Sequence, residues 1–232
     1  MKGISFFGSI AFILFNLTFV TGAFAASAQA VLTEIQTRYE NTNDMEANFL
    51  QEYIGKVMRQ PNRGEGKVYF KKKGMMRWDY RIPNQQFISD GQMLWYYQPE
   101  EKQVVISDVS RTLKEFGFLA GEGDLRRDFE LLNMNESISP KEDHFVLEMI
   151  PKEPNAALSK VTLTVDKKTY YVVQTDVFDG LGNVTRTRFT NIKTNKELPN
   201  SFFHFTIPPG VEVLKMQEPS APSSGEKRPN IK

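Results

Sequence analysis

The sequence predicts an α+β fold in which one antiparallel sheet of ten or eleven strands curls on itself and carries helices as lids. Three observations predict it. Apolar and polar residues alternate with period two through most of residues 44–108, with turn residues recurring between the runs. The same period returns in residues 136–205. Helical spacing occurs only at residues 27–39 and in the middle of the chain, between residues 110 and 133.

The first 25 residues stand apart. Met1-Lys2 is followed by an apolar run from Ile4 to Val20, and Ala23-Phe24-Ala25 supplies the small residues that a signal peptidase cuts after. Residues 1–25 are therefore expected to be a signal peptide cleaved after Ala25. No cysteine follows that cut, so a soluble, unacylated secreted product is expected.

Next comes a helix over Ser27–Tyr39, with Ala30, Val31, Ile35 and Tyr39 spaced by three or four, broken by Asn41–Asp44. Met45, Ala47, Phe49, Tyr53 and Val57 then occupy odd positions of a strand whose even positions are polar at Asp44, Glu46, Asn48, Glu52 and Lys56. Gly64-Glu65-Gly66 is expected to turn the chain into Lys67–Lys71. Lys73-Gly74, Pro83, Asp90-Gly91 and Pro99–Lys102 then separate strands at Met76–Tyr80, Gln85–Ser89, Met93–Tyr97 and Gln103–Asp108. The spacing predicts helices over Ser110–Leu119 and Asp124–Asn133, joined by a pliable segment containing Gly121 and Gly123. Further strands are expected at Glu136–Ser139, His144–Ile150, Lys160–Val165, Tyr170–Phe178, Asn183–Asn191 and Phe202–Phe205. The Pro-, Ser- and Lys-rich residues 217–232 hold too little apolar surface to offset ordering entropy, and a disordered tail is expected there.

Without residues 1–25, whose one charge is Lys2, 207 residues remain with 28 Lys+Arg against 28 Asp+Glu. That neutrality argues against a nucleic-acid partner. The absence of cysteine excludes disulfides, thiol catalysis and zinc–thiolate sites. No zincin, nucleophile-elbow, P-loop or dinucleotide fingerprint is present. His144 and His204 fall in separate predicted strands, and Asp79, Asp176 and Asp179 are expected on solvated faces. No catalytic residue, metal site or cofactor is expected.

What the chain has in excess is bulky apolar surface: 18 Phe, 8 Tyr, 2 Trp and 9 Met. Aromatic residues occupy both parities of several strands, as in Tyr69-Phe70 and Trp95-Tyr96-Tyr97. A curved sheet under a few short helices has more apolar wall than those helices can fill. Methionine suits a wall that must fit chains of different length. A lipid cavity is one reading of this surplus; an ordinary two-faced core is the other.

Gly66-Lys67-Val68-Tyr69-Phe70 leading to Met76-Arg77-Trp78-Asp79-Tyr80 and Pro83 resembles the outer-membrane lipoprotein carrier family (LolA). So does Ser89–Tyr97 followed by Pro99 and Gln103-Val104, and so does Phe203–Val211 as a closing segment. The resemblance covers most of residues 27–216. It implies a half-open curved antiparallel β-barrel of about eleven strands with an α-helical lid over a hydrophobic cavity. It also implies a single lipoprotein-carrier domain over residues 26–216 acting in the periplasm. Acylated lipoproteins would be the cargo, received by a monomeric carrier from an inner-membrane ABC-type exporter and passed to an outer-membrane receptor.

On this basis Phe49, Tyr53, Trp78, Tyr80, Phe87 and Trp95 are expected to line the acyl-chain cavity, and Leu113, Phe116, Phe118 and Leu119 to form the lid. Where the family often has Arg-Pro, with the arginine latching the lid, this chain has Lys72-Lys73; Lys72 keeps the charge but not the planar fork. The alternatives are a periplasmic binding or sensor module for another lipid on the same scaffold, and a lipid-modifying hydrolase.

Overall fold

The computed structural model describes residues 27–57, 60–108, 117–120 (Phe118 by its backbone alone), 122–136, 143–153 and 156–216. Residues 1–26 and 217–232, which include the expected signal peptide and tail, lie outside them.

Helix α1 (Ala28–Glu40) begins where Ser27 accepts the Ala30 N–H on its hydroxyl at 3.2 Å. It buries Val31, Leu32, Ile35 and Tyr39 along one stripe. Six strands come next: β1 (Asp44–Ile54), β2 (Asn62–Lys71), β3 (Met75–Ile82), β4 (Gln85–Asp90), β5 (Met93–Gln98) and β6 (Gln103–Asp108). After a 3-10 turn at Gly117–Ala120 and the single-turn helix α2 (Leu125–Asp128) come β7 (Phe129–Glu136), β8 (His144–Pro151), β9 (Lys160–Asp166), β10 (Val172–Phe178) and β11 (Val184–Thr194). A second 3-10 turn (Asn200–Phe203) and β12 (Glu212–Lys215) end the described chain.

The twelve strands among the described residues form one sheet in the order β12-β6-β5-β4-β3-β2-β1-β11-β10-β9-β8-β7. Two antiparallel meanders meet where β1 pairs with β11, from Met45 opposite Thr194 to Ile54 opposite Val184. A right-handed twist accumulated over so many strands bends the sheet. The result is a curved open sheet whose end strands, β12 and β7, are not joined.

Helix α1 lies on the concave face. Its apolar stripe joins Phe49, Phe70 and Trp78 of the first meander and Leu147, Leu163 and Val165 of the second in one buried cluster. Two polar ties fix it there: the Tyr39 hydroxyl accepts the Val172 N–H (3.0 Å), and Gln36 Oε1 accepts the Leu125 N–H (3.1 Å).

Four expectations about secondary structure and strand direction are corrected. Gly64–Gly66 is not a turn but part of β2, where the missing side chains let neighbouring strands close in: a Cβ on Gly66 would sit 2.0 Å from the Asp79 carbonyl oxygen. The helix expected over Asp124–Asn133 stops after one turn, capped by Asp124, which accepts the Arg126 and Arg127 N–H groups at 2.8 and 3.1 Å. From Phe129 onward the backbone pairs with β8 instead, because an edge of the sheet was available to satisfy it.

The strand expected at Phe202–Phe205 is a 3-10 turn and an extended segment. Strand β12, which the sequence did not suggest, runs parallel to β6, so the sheet is not wholly antiparallel.

The carboxylates expected on solvated faces hold structure together. Arg186 clasps buried Asp176 through Nε and Nη2 (2.9 and 2.8 Å). Arg77 and Gln86 donate to Asp79. Asp179 closes the β10–β11 turn by accepting the Leu181 and Asn183 N–H groups.

Candidate functional site

The concave face divides into two walls. On the first meander β1 presents Met45, Ala47 and Phe49, β2 presents Val68 and Phe70, and β3 presents Met76, Trp78 and Tyr80, because alternate side chains of a strand share a face. Register puts their rings together. Phe49 meets Trp78 at 4.9 Å and Tyr80 at 4.7 Å, both edge to face, and Trp78 contacts Phe70 at 5.7 Å and Phe189 at 6.2 Å. Tyr80 continues the row to Phe87 (5.7 Å), which stacks on Tyr96 at 4.3 Å. Across α1, the second meander contributes an aliphatic wall that includes Leu147, Met149, Val161, Leu163 and Val165.

A polar seam crosses this floor. The Tyr80 hydroxyl donates to Gln51 Oε1 (2.8 Å), and Gln51 Nε2 donates to Thr187 Oγ1 (3.1 Å). Thr187 is directly opposite Thr175 on β10, and both are fully buried. Among the described residues Thr175 Oγ1 has no hydrogen-bond partner. A buried hydroxyl left so costs roughly 1–3 kcal/mol. Burial also pushes the Tyr80 hydroxyl well above the usual tyrosine range, so it remains a neutral donor.

Of the residues expected in the wall, Phe49, Trp78, Tyr80 and Phe87 come together here. Tyr53 shares the face of Phe49 but is exposed at the strand's end. Trp95 is on the other side of the sheet. Phe87 pairs with Tyr96 and Ile88 with Trp95, so Trp95 packs with Ile88 and Val104 in a convex-face cluster, under Phe205 and Val211, with its ring 5.5 Å from His204. The parity of the hairpin carried this information. Any even-length loop between β4 and β5 puts Phe87 opposite an even-numbered residue, which selects Tyr96 and excludes Trp95.

The walls are also completed by Phe70 and Phe189, which the sequence reading left unassigned. His204 sits against the convex face while His144 opens β8 opposite Asp166, so the two histidines belong to different halves of the sheet. Among the described residues no group of acidic or histidine side chains could hold a metal ion.

Residues 40–206 match the family model described as outer membrane lipoprotein carrier protein LolA. The chain belongs to the LolA family. It is 28% identical to the outer-membrane lipoprotein carrier protein of Dechloromonas aromatica (strain RCB) over 178 residues, covering 75% of this chain and 83% of that one. The protein of the same name from Legionella pneumophila (strain Lens) is 28% identical over 208 residues, 88% of this chain and 98% of that one. An uncharacterized conserved protein from Thermus thermophilus has the same fold, with a TM-score of 0.52 at 14% identity, over 82% of this chain and 100% of its own. LolA-family carriers are periplasmic. Among the described residues no helix is long and apolar enough to cross a membrane.

In this LolA-family chain the β2–β3 turn, which holds Lys72, reaches the segment that crosses the concave face. The Gly74 N–H donates to the Ala120 carbonyl (3.3 Å), while Lys72 donates its backbone N–H to the Asn43 carbonyl (3.0 Å). Gly91 lies under that turn with φ +93°, and a Cβ on it would fall 2.1 Å from the Lys73 carbonyl oxygen. Leu119 and Ala120 are buried in the concave cluster. Leu113, Phe116 and the Phe118 side chain lie outside the described residues.

Proposed function

We propose that this LolA-family chain carries acylated lipoproteins through the periplasm with their acyl chains held against the concave face. One observation carries the reading: an apolar floor, aromatic on one side of a narrow polar seam and aliphatic on the other, roofed among the described residues by α1 and a short crossing segment. Exposing a 16-carbon chain to water costs on the order of 12 kcal/mol at about 0.8 kcal/mol per methylene. A lipoprotein therefore needs such a surface to cross an aqueous space. Met45, Met76, Met134 and Met149, in or against the floor, let it adapt to chains of different length.

Phe49, Trp78, Tyr80 and Phe87 form the working wall, joined by Phe70, Tyr96 and Phe189, with Tyr53 at its rim. Leu113, Phe116, Phe118 and Leu119 form the lid face, and Lys72 acts as a latch beside the Gly74–Ala120 bond. The carrier is a monomer whose functional domain is residues 26–216, left after cleavage behind Ala25, with residues 217–232 as an appended tail. It collects cargo from an inner-membrane ABC-type exporter, yields it to an outer-membrane receptor that offers a tighter site, and catalyses no reaction.

Mass spectrometry of the chain purified from a periplasmic extract tests this. A one-to-one complex with acylated lipoproteins is expected. Phospholipid or glycolipid alone would move the cargo to another lipid, and an empty protein would remove the support for carriage.

A further inference from the structure

We infer that Thr175 and Gln51 form a subsite for the ester carbonyl through which an acyl chain joins glycerol, a polar anchor in an otherwise apolar floor. This rests on the carrier reading and deepens it.

Thr175 has no accessible surface, and its hydroxyl has no partner among the described residues. Native proteins rarely leave such a group unsatisfied. The fold does not require it, since valine would occupy the same space without an orphaned donor. Its side chain shares a face with Thr187 across β10–β11 and with Leu163 across β9–β10, both fully buried. The hydroxyl therefore belongs to the concave floor, between the two walls.

Neighbouring Thr187 is already engaged by Gln51, whose amide Tyr80 orients from the other side. A free donor beside an oriented amide calls for an acceptor. Methylenes offer none, whereas an ester carbonyl is an acceptor with no hydrogen of its own to place. With its carbonyl on the seam, a chain can lie along either wall: Phe49 pairs with Phe189 on one side of the seam, and Leu163 begins the aliphatic wall on the other. Because Thr175 and Thr187 are fully buried, a carbonyl reaches the seam only when the side chains packed over it move aside.

A diacylglyceryl ester occurs at the N-terminus of a lipoprotein and in phospholipid, so the test separates the two. Probes are a peptide with an S-(dipalmitoylglyceryl)cysteine, dipalmitoyl phosphatidylglycerol, and the ether-linked counterpart of each, titrated from detergent micelles into the full chain and into Thr175→Val. The wild-type protein is expected to prefer the ester peptide over its ether by roughly five- to tenfold, the worth of one hydrogen bond. Thr175→Val should abolish the preference, leave ether affinity unchanged, and melt no lower than wild type when empty.

Preference and loss confined to phosphatidylglycerol would uphold the subsite and reassign its source to phospholipid. A preference that survives in Thr175→Val, or equal weakening of ester and ether, would overturn the subsite and leave carriage standing. Failure of the wild-type protein to bind any probe would overturn both.

Discussion

The rings of Phe49 and Tyr80 meet edge to face at 4.7 Å above Gly66, the residue that lies between them in the sheet, opposite Phe49 on one side and Tyr80 on the other. Two large side chains can converge there because the middle strand offers none. That convergence starts the aromatic row of the concave wall, and it makes Gly66 the most restrictive position beneath it.

Gly66→Ala should therefore be costly. Its Cβ would collide with backbone, the Asp79 carbonyl oxygen at 2.0 Å and the Tyr80 Cα at 2.9 Å, so β3 must move away from β2. A loss of roughly 3 kcal/mol in urea unfolding is expected, together with weaker binding of a fluorescent acyl probe. A variant of unchanged stability would contradict the close approach.

The two tryptophans lie on opposite faces, which allows a direct test of where acyl chains sit. Trp95→Phe, which retains Trp78, should be strongly quenched by a fatty acyl chain brominated along its length. Trp78→Phe, which retains Trp95, should be quenched little. The reverse pattern would place the ligand on the convex face.

Stability should fall at alkaline pH with an identifiable origin. Burial pushes the hydroxyls of Tyr39 and Tyr80 well above the ordinary tyrosine value near 10. Above about pH 10 the unfolded chain releases these protons and the folded chain keeps them, so the unfolded state binds fewer protons and stability declines as pH rises. Well below about pH 10 the two residues contribute no pH dependence. Each should add about 1.4 kcal/mol per pH unit to the slope. Urea unfolding at about pH 9, 10 and 11 should show that slope reduced by about one proton in Tyr80→Phe, and an unaltered slope would refute the assignment.

Cargo release should respond to the turn that bonds to Ala120. Gly91→Ala would force a Cβ into the Lys73 carbonyl at a left-handed position, displacing that turn, and is expected to speed release of a bound acyl probe by roughly tenfold or more. Lys72→Ala should speed it about threefold if the ammonium serves as a latch. Stopped-flow transfer to lipid vesicles measures both, and equal rates in all three proteins would separate the turn from gating.

Much of the fold was legible along the chain. Helix α1 and most strands follow from spacing alone, since each exposes one face and buries the other. The failures share a cause. Gly64 and Gly66 carry the local mark of a turn, and only the approach of β3 makes them strand residues. Phe129 and Leu131 satisfy helical and extended patterns alike, and the open edge of β8 decided between them. Trp95 is expected in the wall without regard to strand parity, and pairing of Phe87 with Tyr96 turns it to the other face.

The sequence by itself determined the family, the alternation of each strand and the excess of aromatic side chains, because these are properties of order and composition. The tertiary structure alone decided which parity faces α1, that β1 joins β11, and that Thr175 ends a polar seam with no partner among the described residues. Those depend on contacts between residues far apart in the chain, such as Gln51 with Thr187, which no local period encodes.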